Sequence, residues 1–159
     1  MSASTRILFV CLGNICRSPT AHAVFEQRLA TKPWAARVQV DSAGTGDWHI
    51  GHAPDKRAQA AAERRGYRMA HLRARQVTPD DFNQFDWVLA MDADNLASLQ
   101  AIRPASAKTE PRLFLSLLPD STVTDVPDPY YGGEQGFETV LDLIEQASDA
   151  LLAMLEETA

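Results

Sequence analysis

The stretch Ile7-Leu8-Phe9-Val10-Cys11-Leu12-Gly13-Asn14-Ile15-Cys16-Arg17-Ser18-Pro19 decides how this chain is read. Its first four residues are a short apolar run rich in strand formers, and its last two are a helix entry with proline suited to the first turn. Strand, tight loop and helix therefore follow one another directly. A loop that runs into a helix N-terminus turns backbone N–H groups inward, and with the helix dipole they form a cradle for a tetrahedral oxyanion. Gly13 and Asn14 suit such a ring, because some of its residues need positive φ, which Gly adopts freely and Asn tolerates.

Cys11 leaves the strand and Arg17 opens the helix, so both can face one anion. The cradle's field, Arg17 and the Ser18 hydroxyl favour the thiolate of Cys11, which is the nucleophilic form of cysteine. The planar fork of Arg17 can hold two equatorial oxygens of a phosphoryl group as charge shifts in the transition state. Leu12, Gly13, Asn14, Ile15, Cys16 and Ser18 complete the expected phosphate-binding loop. The spacing C-x5-R alone is a modest signal; the extended string is far more specific.

Outward from this loop, apolar Val24, Phe25 and Leu29 recur at helical spacing and fade by Lys32-Pro33. A second strand is expected over Val38–Ser42, leading into Ala43-Gly44-Thr45-Gly46. A helix is expected from Pro54, ended by a left-handed cap at Gly66, and Thr78-Pro79-Asp80-Asp81 starts another. A third strand, Trp87–Met91, leads into Asp92 and a helix near 93–102. Arg112–Leu118 reads as a fourth strand, Pro119–Gly133 as a long loop, and Glu134–Glu156 as a final amphipathic helix. Alternating strands and helices imply an α/β fold with a parallel sheet covered on both faces. Ligands then bind beyond the carboxyl ends of the strands, where the candidate loops converge.

A chain of 159 residues with 45% hydrophobic content fits one domain, 1–159. The start MSASTR and the short run 7–12 fit neither a signal peptide nor a membrane span, so a cytoplasmic protein is expected. Two clustered cysteines point to chemistry rather than to a disulfide scaffold. The net charge of −6 argues against a nucleic-acid partner. Seven cationic residues (Lys56, Arg57, Arg64, Arg65, Arg68, Arg73, Arg75) fall within 56–75, whereas 134–159 holds seven acidic ones and no Lys or Arg. Either these are solvated helix faces, or the basic run docks an acidic partner.

The chain resembles the low-molecular-weight protein tyrosine phosphatase family through V-C-L-G-N-I-C-R-S-P at 10–19, D-S-A-G-T at 41–45, A-M-D at 90–92 and D-P-Y-Y at 128–131. The resemblance implies a four-stranded parallel sheet, a phosphocysteine intermediate on Cys11, and Asp128 as general acid. It also implies supporting hydrogen bonds from Ser42 and His71 to the Asn14 region, with Asp92 as a further supporting residue. Aromatic walls are implied at Trp48 and at Tyr130 or Tyr131. The expected partner is a phosphotyrosine-containing protein, acted on by a monomer with no cofactor and no metal. On the residues alone, Asp128 reads more readily as a turn residue before Pro129. Cys16 is open between a small buried residue and the partner of Cys11 in a protective disulfide.

Three other functions fit parts of the pattern. Asp92-Ala93-Asp94 after a strand looks like the D-x-D of magnesium phosphatases with an aspartate nucleophile, but Leu96 stands where a hydroxyl residue is expected. An arsenate reductase-like redox enzyme on the same loop would need cysteines elsewhere in the chain. A non-catalytic phosphotyrosine-binding module would have no use for a nucleophile and an acid together.

Overall fold

The computed structural model describes residues 4–119, 122–129 and 133–158. β1 (Thr5–Cys11) leads through the loop to α1 (Arg17–Leu29), and after a 3-10 turn at Ala35–Arg37 comes β2 (Val38–Gly44). There follow α2 (Lys56–Arg64), the short α3 (Asp81–Gln84), β3 (Trp87–Ala90), α4 (Ala93–Ile102), β4 (Pro111–Leu113) and α5 (Gly133–Thr158). The four strands form one sheet in the order β2-β1-β3-β4. Every neighbouring pair is parallel.

Successive side chains of a strand point to opposite faces, and β1 is buried on both. Ile7 and Phe9 join the core beneath α1 and α5, with Phe25, Phe114 and Leu141. Leu8 and Val10 join a second core with Phe82, Val88 and Leu99, on the side of α3 and α4. Helices thus cover both faces, as expected. Phe9 stands at the centre of the first core, its ring 5.8 Å from that of Phe25 and 5.0 Å from that of Phe114. Such tilted and edge-on aromatic pairs add about 0.5–1.5 kcal/mol each beyond the area they bury.

The fourth strand departs from expectation. Pairing stops at Leu113, and Phe114–Leu117 coil into a 3-10 turn against α5. Phe114, Leu115 and Leu117 are all buried, so an apolar run that looked like a core strand is a turn enclosed by the core. A short apolar run has no periodicity to separate those two outcomes.

The two charge runs face each other. Arg64 and Arg65 of the α2 end pair with Glu138, and Arg65 also reaches Asp142 and Glu145 on α5. Arg28 of α1 joins from the other side through Glu145 and Asp149. This part of the basic run is thus occupied within the chain, which neither expectation anticipated.

Candidate active site

β1 ends at Cys11, paired in register with Gly44 of β2, and the loop closes where α1 begins at Arg17. The helix starts two residues earlier than Pro19 suggested, which puts Arg17 itself in the first turn. Asn14 takes the left-handed conformation, φ 57°, as its place in the ring requires. Gly13 does not; its lack of a side chain serves space instead, because a Cβ there would lie 2.9 Å from His49 Cδ2. Gly44 is needed for the same kind of reason, since a Cβ would stand 2.8 Å from the carbonyl oxygen of Leu12. The bonds from Thr45 N to Cys11 O and from Gly46 N to Leu12 O then lace the second loop to the first.

The sulfur of Cys11 is buried and surrounded by donors. Asn14 N–H points at Sγ over 3.3 Å, and Ser18 Oγ lies 3.0 Å from it. Ser18 Oγ accepts from Asn14 Nδ2 at 2.7 Å, so its own proton is free for Sγ or for Ala43 O at 3.3 Å. Asn14 Oδ1 accepts from Arg75 N at 3.0 Å, which ties the loop to the segment beside β2. The side chains of Asn14 and Ser18 therefore brace the cradle from behind, while Leu12, Gly13, Ile15 and Cys16 line its open side.

Arg17 is 3% exposed. Its Nη1 donates to Asp92 Oδ2 at 2.6 Å and to Val126 O at 2.9 Å, and its Nη2 is 3.8 Å from Asp128 Oδ2. Burial pushes its pKa down, but Cys11, Asp92 and Asp128 outweigh that and hold it above the ordinary arginine range. Asp92 also caps α4 by accepting from Asn95 N, and Asp94 in the first turn of that helix is exposed. The two carboxylates of the D-x-D string are thus not a shared site; Asp92 belongs to the cysteine loop.

Cys16, in contrast, is pushed up to about 12, by burial first and then by Asp55 and Cys11. It stays a neutral thiol at neutral pH. Both cysteines are free.

The supporting bonds expected of Ser42 and His71 run differently. Ser42 Oγ meets His22 Nδ1 at 3.2 Å, and His22 Nε2 lies 3.4 Å from Glu26 Oε2, one turn along α1. His71 is exposed and lines a shallow groove with Glu63 and Tyr67, away from the loop. Asn14 is held by Ser18 and Arg75 instead. The i,i+4 pair His22 and Glu26 was the available signal for this, and only the strand partner Ser42 completes it. His49, which no local pattern marks, stands over Gly13 at the mouth of the cleft.

These elements enclose a cleft of about 290 Å³ lined by Cys11, Leu12, Gly13, Ile15, Cys16, Arg17, Trp48, His49 and Asp128. The thiol of Cys11, the guanidinium of Arg17 and the carboxyl of Asp128 all line it; the apolar Leu12 and Trp48, 45% and 65% exposed, form its rim. Tyr130 and Tyr131 lie outside the described residues.

A thiol-bearing anion cradle at the carboxyl edge of a parallel sheet, with a carboxyl facing it, defines a cysteine-dependent phosphatase site. The family model for low molecular weight phosphotyrosine protein phosphatases matches residues 6–159, and the chain belongs to that family. It is 42% identical to the low molecular weight protein-tyrosine-phosphatase YfkJ of Bacillus subtilis over 95% of this chain and 96% of that one. It is 43% identical to the human low molecular weight phosphotyrosine protein phosphatase, over 87% of each. A crystal structure of a protein tyrosine phosphatase from Entamoeba histolytica superposes with a TM-score of 0.92 at 40% identity, covering 98% of this chain and 99% of the other.

Proposed function

We propose that this chain hydrolyses phosphotyrosine in protein substrates, with Cys11 as nucleophile, Arg17 as phosphate clamp and Asp128 as acid and then base. The observation that carries the proposal is the buried sulfur of Cys11, faced by Asn14 N–H and Ser18 Oγ, in one cleft with Arg17 and Asp128. In the first step Sγ attacks phosphorus, the S–P bond forms and the bond to the phenolic oxygen breaks as Asp128 gives that oxygen its proton. In the second, water attacks phosphorus, the Asp128 carboxylate takes its proton, and the S–P bond breaks to return the thiolate and release inorganic phosphate. Arg17 and the loop amides hold the equatorial oxygens throughout.

The apolar rim of Leu12 and Trp48 suits the ring of a phenolic ester, and Tyr130 or Tyr131 is proposed as a further aromatic contact for it. The whole chain is taken as one domain, acting as a monomer in the cytoplasm without metal or cofactor. Two free cysteines in one loop fit a reducing compartment. Among the described residues no helix is long and apolar enough to cross a membrane.

The experiment is turnover of phosphotyrosine peptide and aryl phosphate by the wild type and Cys11→Ser, with inorganic phosphate binding measured on both. Cys11→Ser is expected to abolish turnover and keep phosphate binding. Wild-type turnover by that variant would overturn the assignment.

A further inference from the structure

The segment that carries Asp128 is held by contacts that the reaction itself does not use. Val126, fully buried, donates its N–H to Met91 O at 2.7 Å and accepts Arg17 Nη1 on its carbonyl at 2.9 Å. One residue earlier, Asp125 Oδ1 accepts the N–H of Ala93, the first residue of α4, at 3.1 Å. Asp92 already gives one oxygen to Asn95 N and the other to Arg17, so the Ala93 amide is served by a second carboxylate. These bonds close a ring. It runs from Arg17 to Asp92, through the first turn of α4 to Ala93, across to Asp125, and back through Val126 to Arg17.

We propose that Asp125 is a positioning residue for the phosphatase reaction, anchoring the segment so that the Asp128 carboxyl stands at a fixed place relative to Arg17 and Cys11. The proposal rests on the reading of Asp128 as the acid. From 125 to 128 the chain can span at most about 10 Å, and Pro127 has its φ locked, so little slack separates anchor from carboxyl. A misplacement of about 1 Å is enough to slow a positioned step by roughly a hundredfold. The anchor is also electrostatically sound, since a carboxylate is favoured at the positive end of a helix dipole.

The test is kcat/KM for a series of aryl phosphates of rising leaving-group pKa, with Asp125→Ala, Asp125→Asn and Asp128→Ala beside the wild type, plus competitive inhibition by inorganic phosphate. Asp128→Ala should steepen the dependence on the leaving group. Asp125→Ala should steepen it in the same sense, by about tenfold for phenyl phosphate and under about twofold for a dinitrophenyl ester, the scale of one lost hydrogen bond. Phosphate inhibition should not change, and Asp125→Asn, which keeps an oxygen acceptor, should restore most of the loss. Ala93→Pro removes the same bond from the donor side at a position where proline is tolerated, after an extended Asp92, and should reproduce the effect if Asp125→Ala does not fold.

A wild-type slope in Asp125→Ala and Ala93→Pro beside a steep one in Asp128→Ala overturns the positioning role and leaves the acid assignment standing. Equal losses on all esters with weakened phosphate inhibition also overturn it, by making Asp125 a support of the cradle as a whole. An unchanged slope in Asp128→Ala overturns the acid assignment, and this proposal with it.

Discussion

Arg17 is aimed before any phosphate arrives, because Asp92 and the Val126 carbonyl hold one nitrogen of its fork and leave the rest toward the cleft. A lysine could keep the charge, but not both the anchor and a two-point grip on the phosphoryl oxygens. Arg17→Lys should therefore lower kcat on aryl phosphates by at least about a hundredfold, the scale of losing one preorganised transition-state donor. Steady-state kinetics check this; a loss under threefold would show that charge alone suffices. At this scale the sequence was readable where function is local. Cys11, Asn14, Arg17 and Ser18 lie in one loop whose geometry dictates their types. Ser42, in contrast, acquires its partner His22 from a neighbouring element, and no local pattern announces that His22 rather than His71 occupies the place.

The elements around the site are fixed by their ends. α2 begins at Asp55, whose carboxylate accepts from Arg57 N and Ala58 N while its own N–H binds the carbonyl of Ile15 in the cysteine loop. Burial alone would raise the Asp55 pKa, but the bonds from Arg57 and Ala58 outweigh it and leave it lowered from 3.8. A group with a lowered folded-state pKa stabilises above its unfolded value and loses that contribution as pH falls through the folded one. Asp55→Ala should thus cost about 1 kcal/mol at pH 7, and the gap to the wild type should narrow as pH drops below 3.8. Denaturant melts at several pH values test this; a gap that widens in acid would contradict the cap. Helix starts of this kind were legible from Asp, Pro and Gly signals. The end of β4 was not, because the apolar Phe114, Leu115 and Leu117 suit a buried strand as well as a buried turn, and only packing against α5 decides between the two.

Over the whole molecule, the parallel sheet brings sequence-distant loops to one edge, and this is why Asp128, the residue proposed as general acid, was the least legible part of the site. Nothing local distinguishes Asp128 from a turn residue before Pro129; its meaning comes from lying across the cleft from Cys11, beside Arg17. Family resemblance supplied the role proposed for that residue, whereas the roles proposed for Cys11 and Arg17 followed from the loop itself. The charge runs were read correctly as composition and incompletely as structure, since pairing between α2 and α5 depends on how the two helices pack. Both lessons have one cause: periodicity and capping are written locally, and the contacts between elements are not.

The central claim is that phosphate passes through a covalent bond to Cys11. Mass spectrometry of the protein quenched within milliseconds of mixing with aryl phosphate tests it directly. The account predicts a phosphoryl group on the peptide containing Cys11, formed and lost at rates consistent with turnover and absent in Cys11→Ser. A phosphoryl group on Asp92 instead, or full turnover with Cys11 unmodified at every time sampled, would contradict it.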